Sequence, residues 1–324
     1  MKHQTFRALI GLFLVIGLGV AGWLAAHALG GRQDFTSHSP QWALSGMKPK
    51  PSSAERGAAY RFAAIGDWGA GTQFQKDVAN QMWCAYQKEP FEAVLLLGDN
   101  IYENGNIQKY GKAYFNNTYT PLIESGVHFL AALGNHDYKG GFQADQVRFF
   151  GMPGYYYSVS KPDGVGSIAF FALDTNQFAR SEVQQRWLDK ALAESTAPWK
   201  VVFGHHPIYS SGEHGNSPDL KKTLEPILIK HHVDLYLAGH DHDYERFAPI
   251  KGVQYIVSGG GGAYLRGFDR PVGGSLVRKK AHHFLNFELD GQTLKLQVID
   301  RTGQVIDSAQ WQEQIRKPAQ KQAS

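Results

Sequence analysis

Five short clusters of potential metal ligands stand out in this sequence of 324 residues. Each follows an apolar segment that ends at a glycine, and together they supply Asp67, Asp99 with Tyr102, Asn135 with His136, His205, and His240 with His242. A lone histidine after a strand is usually a hydrogen-bonded structural residue. Five such clusters are harder to explain by folding, because burying many polar groups costs free energy unless something binds them. A metal centre would supply that compensation.

The types of these side chains indicate which metals they would hold. No cysteine is among them, which excludes a structural zinc site built on thiolates. Carboxylate, phenolate, amide and imidazole groups together suit iron, manganese or zinc. Without His136 the clusters hold seven ligands, which exceed the needs of one ion. Because one carboxylate can bridge two metals about 3.5 to 4 Å apart, the pattern predicts a two-metal centre of the kind that serves displacement at phosphorus.

Such clusters need a sheet that brings strand ends together. Val94–Leu97 is a run of large apolar residues, typical of a strand buried on both faces. Tyr60–Ile65 predicts the preceding strand, and helical spacing at residues 72–88 completes a parallel strand-helix-strand unit. Open α/β sheets bind ligands at the carboxyl ends of such strands. Taken alone, Asp99 and Tyr102 are more typical of a turn that closes a strand, and only the repetition favours a site.

The remaining apolar segments predict further elements of an α/β fold. Helices are predicted at residues 180–194 and 218–231, and strands at residues 127–133, 155–159, 167–173, 199–203, 233–237, 253–257, 284–289 and 294–299. The polar and aromatic segment from Tyr102 to Pro121 predicts a loop with a short helix. Gly259–Gly262 lacks the lysine and the following helix of a P-loop, so we expect a flexible loop there.

Composition places the chain among globular proteins and limits its partners. With 43% hydrophobic and 19% charged residues, it can form one large α/β domain or two modest ones. The formal net charge of +4 is spread along the chain, so we expect no nucleic acid as a partner. A mildly cationic protein favours anionic substrates. The single cysteine, Cys84, permits no intramolecular disulfide and is expected to be a buried small hydrophobe.

The N-terminal segment indicates export. Residues 8–26 carry no charge and follow Lys2 and Arg7, a pattern that directs the following chain across a membrane. Residues 26–28 (Ala-His-Ala) offer a cleavage site of the small-x-small type. The apolar run of about 20 residues is also long enough to span a bilayer. We therefore predict a periplasmic or extracellular protein with either a cleaved signal or an inner-membrane anchor through residues 8–29.

The same clusters carry a resemblance to a known family. In order they read Gly66-Asp67-Trp68-Gly69, Gly98-Asp99-Asn100-Ile101-Tyr102, Gly134-Asn135-His136-Asp137, Val202-Phe203-Gly204-His205 and Gly239-His240-Asp241-His242. These blocks resemble those of the calcineurin-like metallophosphoesterases. Tyr102 and the Asp67-Trp68-Gly69 start resemble, more narrowly, the purple acid phosphatases of the small tartrate-resistant type. Most other members of the superfamily carry a histidine at the position of Gly69.

That resemblance implies a fold and a set of ligands. The fold is an α/β architecture in which a two-sheet β-sandwich is flanked by helices in four layers (α/β/β/α), with the metal site at the carboxyl ends of strands. The implied ligands are, for the first metal, Asp67, Tyr102 and His242, for the second, Asn135, His205 and His240, and for both, the bridging Asp99. The anionic first site would hold Fe(III), and the second Fe(II), Zn(II) or Mn(II).

The resemblance also implies hydrolysis of phosphate monoesters by in-line attack of a metal-activated hydroxide, in acid because a trivalent ion lowers the pKa of bound water. His136 would contact the phosphate or protonate the leaving oxygen. Glu213 and His214 resemble the family's Glu-His loop over the site, which makes His214 a second candidate acid. For both histidines, a hydrogen bond that merely supports a ligand is the alternative. His206 stands where the family often has tyrosine, a departure that bears on substrate preference.

Two other functions fit the same residues. The metals would equally serve a phosphodiesterase, or a phosphatase that acts on nucleotide or lipid phosphates. A non-catalytic anchored protein that binds metal or phosphate would keep the ligands, but it leaves His136 without a purpose. We predict an enzyme, a metal-dependent phosphoric monoester hydrolase, that acts on small-molecule phosphate esters as a monomer.

The domain organisation follows from these assignments. We expect a signal peptide or membrane anchor at residues 1–30 and a flexible linker rich in serine, glycine, proline and lysine at residues 31–58. The metallophosphoesterase catalytic domain is predicted at residues 59–310. A polar tail at residues 311–324 completes the chain.

Overall fold

The structure is a computed structural model that describes residues 59–161 and 168–313. The predicted signal peptide or anchor, the linker and the end of the polar tail from residue 314 lie outside the described residues. Among the helices that the described residues form, none combines the length and the hydrophobicity that a bilayer crossing requires.

Two β-sheets form the centre of the fold. The first contains β1 (Ala59–Ile65), β2 (Ala93–Leu97), β3 (His128–Ala132), β11 (His283–Asp290), β12 (Thr293–Asp300) and β13 (Val305–Gln312). The second contains β4 (Tyr157–Lys161), β5 (Ile168–Ala172), β6 (Trp199–Phe203), β7 (Leu235–Ala238), β8 (Tyr244–Phe247), β9 (Gln254–Ser258) and β10 (Ser275–Lys279). Their orders are β13-β12-β11-β1-β2-β3 and β10-β8-β9-β7-β6-β5-β4.

Each sheet combines parallel and antiparallel strands, and the parallel strands lie at one end of the first sheet and in the centre of the second. Strands β1, β2 and β3 are parallel in the first sheet, and β5, β6, β7 and β9 are parallel in the second. The other pairings are antiparallel. The parallel strands β2 and β6 are buried at every position, as expected when both faces of a sheet are covered.

The sheets pack face to face, and the side chains alternate between two cores. Phe170 and Val201 of the second sheet join the core that contains the first sheet, whereas their neighbours Phe171 and Val202 join a separate outer core. Phe62 of β1 contacts Phe170 across the interface, with ring centroids 5.0 Å apart. Burial of each such large side chain stabilises the fold by roughly 1.5 to 3 kcal/mol.

Helices cover the outer faces. They are α1 (Gln73–Lys88), α2 (Ile107–Gly111), a π-helical turn (Lys112–Asn116), α3 (Asn117–Glu124), α4 (Asn135–Lys139), α5 (Gln143–Phe149), a 3-10 turn (Phe178–Arg180), α6 (Glu182–Glu194), α7 (Pro218–Thr223) and α8 (Glu225–Lys230). Helix α1 begins where the Thr72 side chain accepts a hydrogen bond from the Gln75 amide, and it buries Val78 and Met82. Leu188 of α6 joins the outer core of the second sheet. The predicted four-layer sandwich is confirmed.

Some predicted elements differ from the observed ones. The helix predicted at residues 218–231 is two helices that meet at Leu224, because Pro226 lacks the amide hydrogen that a continuous helix needs. The segment predicted as a loop with a short helix after Tyr102 is largely helical from Ile107 to Glu124. Cys84 is exposed on α1, so the expectation that it is buried was wrong; the buried stripe of that helix is formed by other residues.

Candidate metal centre

The clusters of potential ligands follow the carboxyl ends of parallel strands in both sheets. In chain order, Asp67 follows β1, Asp99 and Tyr102 follow β2, Asn135 follows β3, His205 follows β6, and His240 and His242 follow β7. The oxygen ligands therefore come from the first sheet and the imidazoles from the second. The two sets meet where the strand ends of the two sheets face each other.

Three of these residues have an unusual backbone conformation. Asp67, Asp99 and His240 have positive φ angles of 55°, 51° and 73°, which non-glycine residues rarely adopt. Such a conformation costs about 1 to 3 kcal/mol and persists only where the surroundings enforce it. Here the Asp67 amide donates to the Gly98 carbonyl at 3.1 Å, and the His240 amide donates to Asp67 Oδ2 at 2.8 Å. The first bond joins two loops of the first sheet, and the second joins a loop of the first sheet to a loop of the second.

The first group of predicted ligands is Asp67, Tyr102 and His242. The Tyr102 hydroxyl donates to Asp67 Oδ1 at 2.8 Å and lies 3.0 Å from His242 Nε2, which is 3.3 Å from Asp67 Oδ1. His242 Nδ1 lies 2.7 Å from the Tyr264 carbonyl oxygen. Because a carbonyl only accepts, Nδ1 carries a hydrogen, and in the neutral ring Nε2 keeps the lone pair that a metal would need.

The second group is Asn135, His205 and His240. His205 Nε2 lies 2.9 Å from Asn135 Oδ1 and 3.1 Å from His240 Nδ1. His205 Nδ1 donates to the Leu97 carbonyl oxygen at 3.0 Å, so its Nε2 also keeps a lone pair. Two ring nitrogens and an amide oxygen thus converge on one point.

Asp99 lies between the two groups. Its Oδ2 is 3.5 Å from His205 Nε2, and its Oδ1 accepts a hydrogen bond from the His136 amide at 2.8 Å. Ligand atoms of Asp67, Asp99 and His205 all lie within 4.8 Å of one another. The carboxylate is therefore within reach of both groups.

The electrostatics of the site favour bound cations. Burial, followed by repulsion from Asp67 and Asp137, raises the pKa of Asp99 well above its usual value. Burial and the same kind of repulsion raise the pKa of Tyr102. Burial and neighbouring histidines lower the pKa of His240 well below its usual value, which keeps the ring neutral and able to coordinate. Two cations would relieve the repulsion among the anions, so these residues fit a dinuclear metal site.

Close glycine contacts shape the ligand loops. A β-carbon at Gly134 would lie 2.1 Å from Asp99 Oδ1, and one at Gly239 would lie 2.3 Å from Asp67 Oδ2. Only glycine lets the backbone approach these carboxylates so closely. Gly259–Gly262, where we expected a flexible loop, is buried, and a β-carbon at Gly259 would lie 2.1 Å from the Asp241 carbonyl oxygen. The glycine run thus packs the strand ends together.

His136 lies beside the ligands on the side of the first sheet. Its Nδ1 is 2.7 Å from the Glu103 carbonyl oxygen, its Nε2 is 4.0 Å from Asp99 Oδ2, and its ring packs on Tyr102 with centroids 4.4 Å apart. The Lys139 ammonium group lies 2.9 Å from Nε2. Burial, more than this ammonium group, lowers the pKa of His136.

His214 and Glu213 lie at the exposed rim on the side of the second sheet. The His214 ring stacks on His240, with centroids 4.1 Å apart, and its Nε2 contacts the Arg266 guanidinium. The His214 amide is fixed by Asp241 Oδ1 at 2.9 Å. Glu213 is more than half exposed and pairs with Arg266 at 3.5 Å. Glu213 therefore contacts Arg266 and none of the ligand groups.

A buried network that sequence reasoning did not assign supports the oxygen ligands. Asp137 accepts hydrogen bonds from the amides of Asn100, Ile101 and Gly134 at 2.8 to 3.1 Å. Gln146 Nε2 donates to the same carboxylate at 2.7 Å. Asp137 was visible in the third cluster, but its partners across the loops cannot be inferred from spacing.

Two further residues near the site were missed. Thr175, after β5, accepts hydrogen bonds from the amides of His205 and His206. Asp174 and Thr175 follow an apolar segment just as the other clusters do, but no glycine separates them from the strand, so the pattern did not include them. Arg266 lies 24 residues after His242 in an irregular loop, and no signal in the sequence marks it.

Comparison with known proteins matches the chain to one family. Residues 60–244 match the family described as calcineurin-like phosphoesterase. Purple acid phosphatase 3 of Arabidopsis thaliana is 33% identical over 271 residues, which cover 72% of this chain and 71% of that protein. Tartrate-resistant acid phosphatase type 5 of Oryctolagus cuniculus is 31% identical over 62% of this chain and 72% of its own length.

Solved structures show the same fold. The purple acid phosphatase PPD1 from yellow lupin superimposes with a TM-score of 0.67 at 24% identity, over 78% of this chain and 53% of that chain. GAP50, the anchor in the inner membrane complex of Plasmodium, superimposes with a TM-score of 0.72 at 24% identity, over 81% of this chain and 91% of that chain. At this level of identity, the similarity supports the architecture alone.

Proposed function

The chain belongs to the purple acid phosphatases of the calcineurin-like phosphoesterase family, and from that premise we propose how its own residues carry the activity. It is a dinuclear-metal acid phosphatase that hydrolyses phosphate monoesters. The observation that carries this conclusion is the convergence of oxygen ligands from one sheet and imidazoles from the other at the facing strand ends, where Asp67, Asp99 and His205 are buried.

The proposed ligands divide between two metals. Those of the first metal are Asp67, Tyr102 and His242, those of the second are Asn135, His205 and His240, and Asp99 is shared. When bound, the metals neutralise charge on the phosphate and lower the pKa of coordinated water. The free Nε2 lone pairs of His205 and His242, each left by a hydrogen bond from Nδ1 to a carbonyl, support this assignment.

We propose different metals for the two positions. Asp67, Tyr102 and the shared Asp99 place three potential anions at the first position, which favours Fe(III). Asn135 and two imidazoles are neutral, and they suit Fe(II), Zn(II) or Mn(II) at the second. The close contact between the Tyr102 hydroxyl and Asp67 supports this proposal, because a trivalent ion would draw the proton from such a hydroxyl.

His136 and His214 are the proposed contacts to the substrate. His136 donates its Nδ1 hydrogen to the Glu103 carbonyl, and its Nε2 lies 2.9 Å from the Lys139 ammonium group, so Nε2 would contact the phosphate or protonate the leaving oxygen only once the ring carries a second proton. His214 approaches from the opposite sheet, stacked on His240. Glu213 would act indirectly, because its ion pair with Arg266 keeps that guanidinium beside His214.

We further propose an exported, monomeric enzyme. The uncharged N-terminal run behind Lys2 and Arg7 supports a signal or anchor at residues 1–30, followed by a linker at residues 31–58. The catalytic domain would then occupy residues 59–310 on the periplasmic or extracellular side. Detection of the mature N-terminus by mass spectrometry would distinguish a cleaved signal from a retained anchor.

Substitution of Tyr102 tests the proposed first position. Phenolate bound to Fe(III) gives a visible charge-transfer band, so we expect the purified wild type to be coloured and Tyr102→Phe to lose the band. Metal analysis and the visible spectrum of both proteins check this together. A band that persists in Tyr102→Phe would refute tyrosinate ligation.

Tyr110→Phe provides the matched control. Tyr110 stacks on Tyr114, with ring centroids 5.0 Å apart, and contacts none of the proposed ligands. Its substitution should leave colour and metal content unchanged. Hydrolysis of a chromogenic monoester by the wild type, compared with a diester, tests the reaction class in the same preparations.

A further inference from the structure

His206 directly follows the proposed metal ligand His205, and it is neither a proposed ligand nor one of the proposed substrate contacts His136 and His214. We infer that His206 donates a hydrogen bond from Nε2 to the phosphate group of the substrate and that Thr175 fixes the ring in the state this requires. This inference rests on the proposed phosphatase site. It concerns the side of the site formed by the second sheet, where His205 and His240 lie.

The hydrogen bonds of Thr175 determine which ring nitrogen of His206 carries the hydrogen. Thr175 Oγ1 accepts from the amides of His205, at 3.2 Å, and of His206, at 3.1 Å. A hydroxyl oxygen has two lone pairs, so both are used. Its one hydrogen is left for His206 Nδ1, 2.8 Å away. Nδ1 is therefore an acceptor, and in the neutral ring Nε2 must carry the hydrogen.

The ring of His206 lies beside the proposed ligands of the second metal. The ring packs against His205, with centroids 5.0 Å apart, and against His240, at 4.6 Å. A ring nitrogen of His206 lies within 4.8 Å of ligand atoms of both residues. The Tyr236 hydroxyl donates to the His206 carbonyl at 2.7 Å and fixes the backbone. The side chain is only partly buried, so a substrate can reach it.

The hydrogen bonds of His206 distinguish two roles that its position allows, a metal ligand and a contact to the substrate. Three histidines, His205, His206 and His240, lie close enough to share a metal. A ligand needs a lone pair, and His206 has given the one on Nδ1 to Thr175 while Nε2 bears hydrogen. An N–H group next to a metal can instead donate a hydrogen bond to a phosphate oxygen, which is an acceptor. His206 is thus assigned to the substrate.

Inorganic phosphate is the probe for this contact. We expect His206→Phe, in the metal-loaded enzyme, to keep two metals per chain and to raise the inhibition constant of inorganic phosphate about tenfold or more, as loss of a hydrogen bond to a charged group does. Thr175→Val should raise it less, because the ring remains but its state is no longer fixed. His231→Phe is the control, since His231 binds the exposed Asp189 and none of the proposed ligands, and should change neither quantity.

The ring state is measurable without metal or turnover. Nitrogen-15 NMR of the metal-free wild type should find the His206 hydrogen on Nε2, and Thr175→Val should give a mixture of both states. A hydrogen on Nδ1, loss of one metal from His206→Phe, or an unchanged phosphate inhibition constant would each overturn the inference. Those failures leave an active, metal-loaded wild type, whereas failure of the phosphatase proposal itself would appear as a wild type without metals or turnover.

Discussion

The two sheets contribute different chemistry to the centre. The first sheet provides carboxylates, a phenol and an amide, and the second provides three imidazoles. Each proposed metal draws on both sheets, since Asp67 and Tyr102 meet His242 while Asn135 meets His205 and His240. Neither sheet alone holds a complete site, so metal binding is expected to stabilise the packing of one sheet on the other.

The two sides also hold their ligands in different ways. On the first side, the carboxylate of Asp137 ties the loops after β2 and β3 together through backbone amides. On the second, the imidazoles of His205 and His242 are oriented by single bonds to the carbonyls of Leu97 and Tyr264. The Leu97 carbonyl ends a strand of the first sheet. Orientation of His205 therefore depends on the contact between the sheets.

Removal of the proposed shared carboxylate, Asp99, is expected to have the largest effect, because ligands from both sheets depend on it. Asp99→Asn keeps the shape of the side chain but removes its charge, so the imidazoles of the second sheet remain without the anion that joins the two metals. We expect loss of metal from both positions and a fall in kcat/KM of about 10³-fold, since bound metals supply several kcal/mol to phosphate chemistry. Metal analysis and kinetics on a chromogenic monoester check this.

Asp189→Asn is the matched control for that substitution. Asp189 lies on α6, bound to His231 and Lys230 at the surface. It should leave metal content and kcat/KM unchanged. Retention of one metal by Asp99→Asn would show that one of the two positions binds its metal without Asp99, and would contradict the proposal that both depend on this carboxylate.

Alanine substitutions at two glycines test the two metal positions separately. Gly134→Ala would force a β-carbon against Asp99, and Gly239→Ala would force one against Asp67. We expect kcat/KM to fall about 10²-fold in each case, the usual effect of moving a catalytic group by about 1 Å. Gly134→Ala should weaken both metals, whereas Gly239→Ala should weaken the first metal more than the second, because the added carbon lies against Asp67.

Metal titration of the two variants measures this difference. Gly273→Ala, with no atom within 4 Å of the added carbon, is the control and should behave as the wild type does. Equal loss of both metals in Gly239→Ala would contradict the assignment of Asp67 to one metal.

Much of the fold was predictable because parallel strands buried on both faces leave continuous apolar runs. The segment Trp199–Phe203 was predicted with its observed bounds, and Val94–Leu97 to within one residue. The strand ends could be located for the same reason, since glycine and a polar group follow each run. The clusters can therefore be identified from the sequence, although the distances between them cannot.

Three strands at or next to a sheet edge and the supporting residues were not predictable. Strands β8, β10 and β13 were absent from our interpretation, because β8 follows a ligand cluster directly and the other two are largely exposed, with no regular apolar alternation. Arg266 and Thr175 act through contacts between distant loops. Such contacts leave no periodic signal in a single sequence.

The smallest expected effect concerns the sheets away from the metals. Asp307 of β13 in the first sheet accepts hydrogen bonds from Arg246 and Tyr244 of β8 in the second at 2.6 to 3.0 Å. We expect Asp307→Asn to lower the free energy of unfolding by about 1 to 3 kcal/mol at pH 7, as loss of a bond between charged groups does. The kcat/KM should stay unchanged, since the hydrogen bonds of Asp307 are to Arg246 and Tyr244 and to none of the proposed ligands.

The pH dependence of that effect has a defined sign. Burial alone would raise the pKa of Asp307, but hydrogen bonds from Arg246 and Tyr244 outweigh it and lower the pKa. The stabilisation is therefore present above the unfolded pKa of about 3.9 and is lost as the pH falls through the lower folded value. Urea unfolding of both proteins between pH 7 and pH 2 checks this, and a difference that grows in acid would contradict it.

We propose that the two sheets together hold two metals through one shared carboxylate. A crystal of the purified catalytic region loaded with iron and zinc, measured by anomalous scattering at both absorption edges, tests it most directly. We predict two peaks about 3.5 to 4 Å apart, with Asp99 bound to both, Tyr102 at the iron, and His205 with His240 at the zinc. A single peak, or two metals with Asp99 bound to only one, would contradict the account.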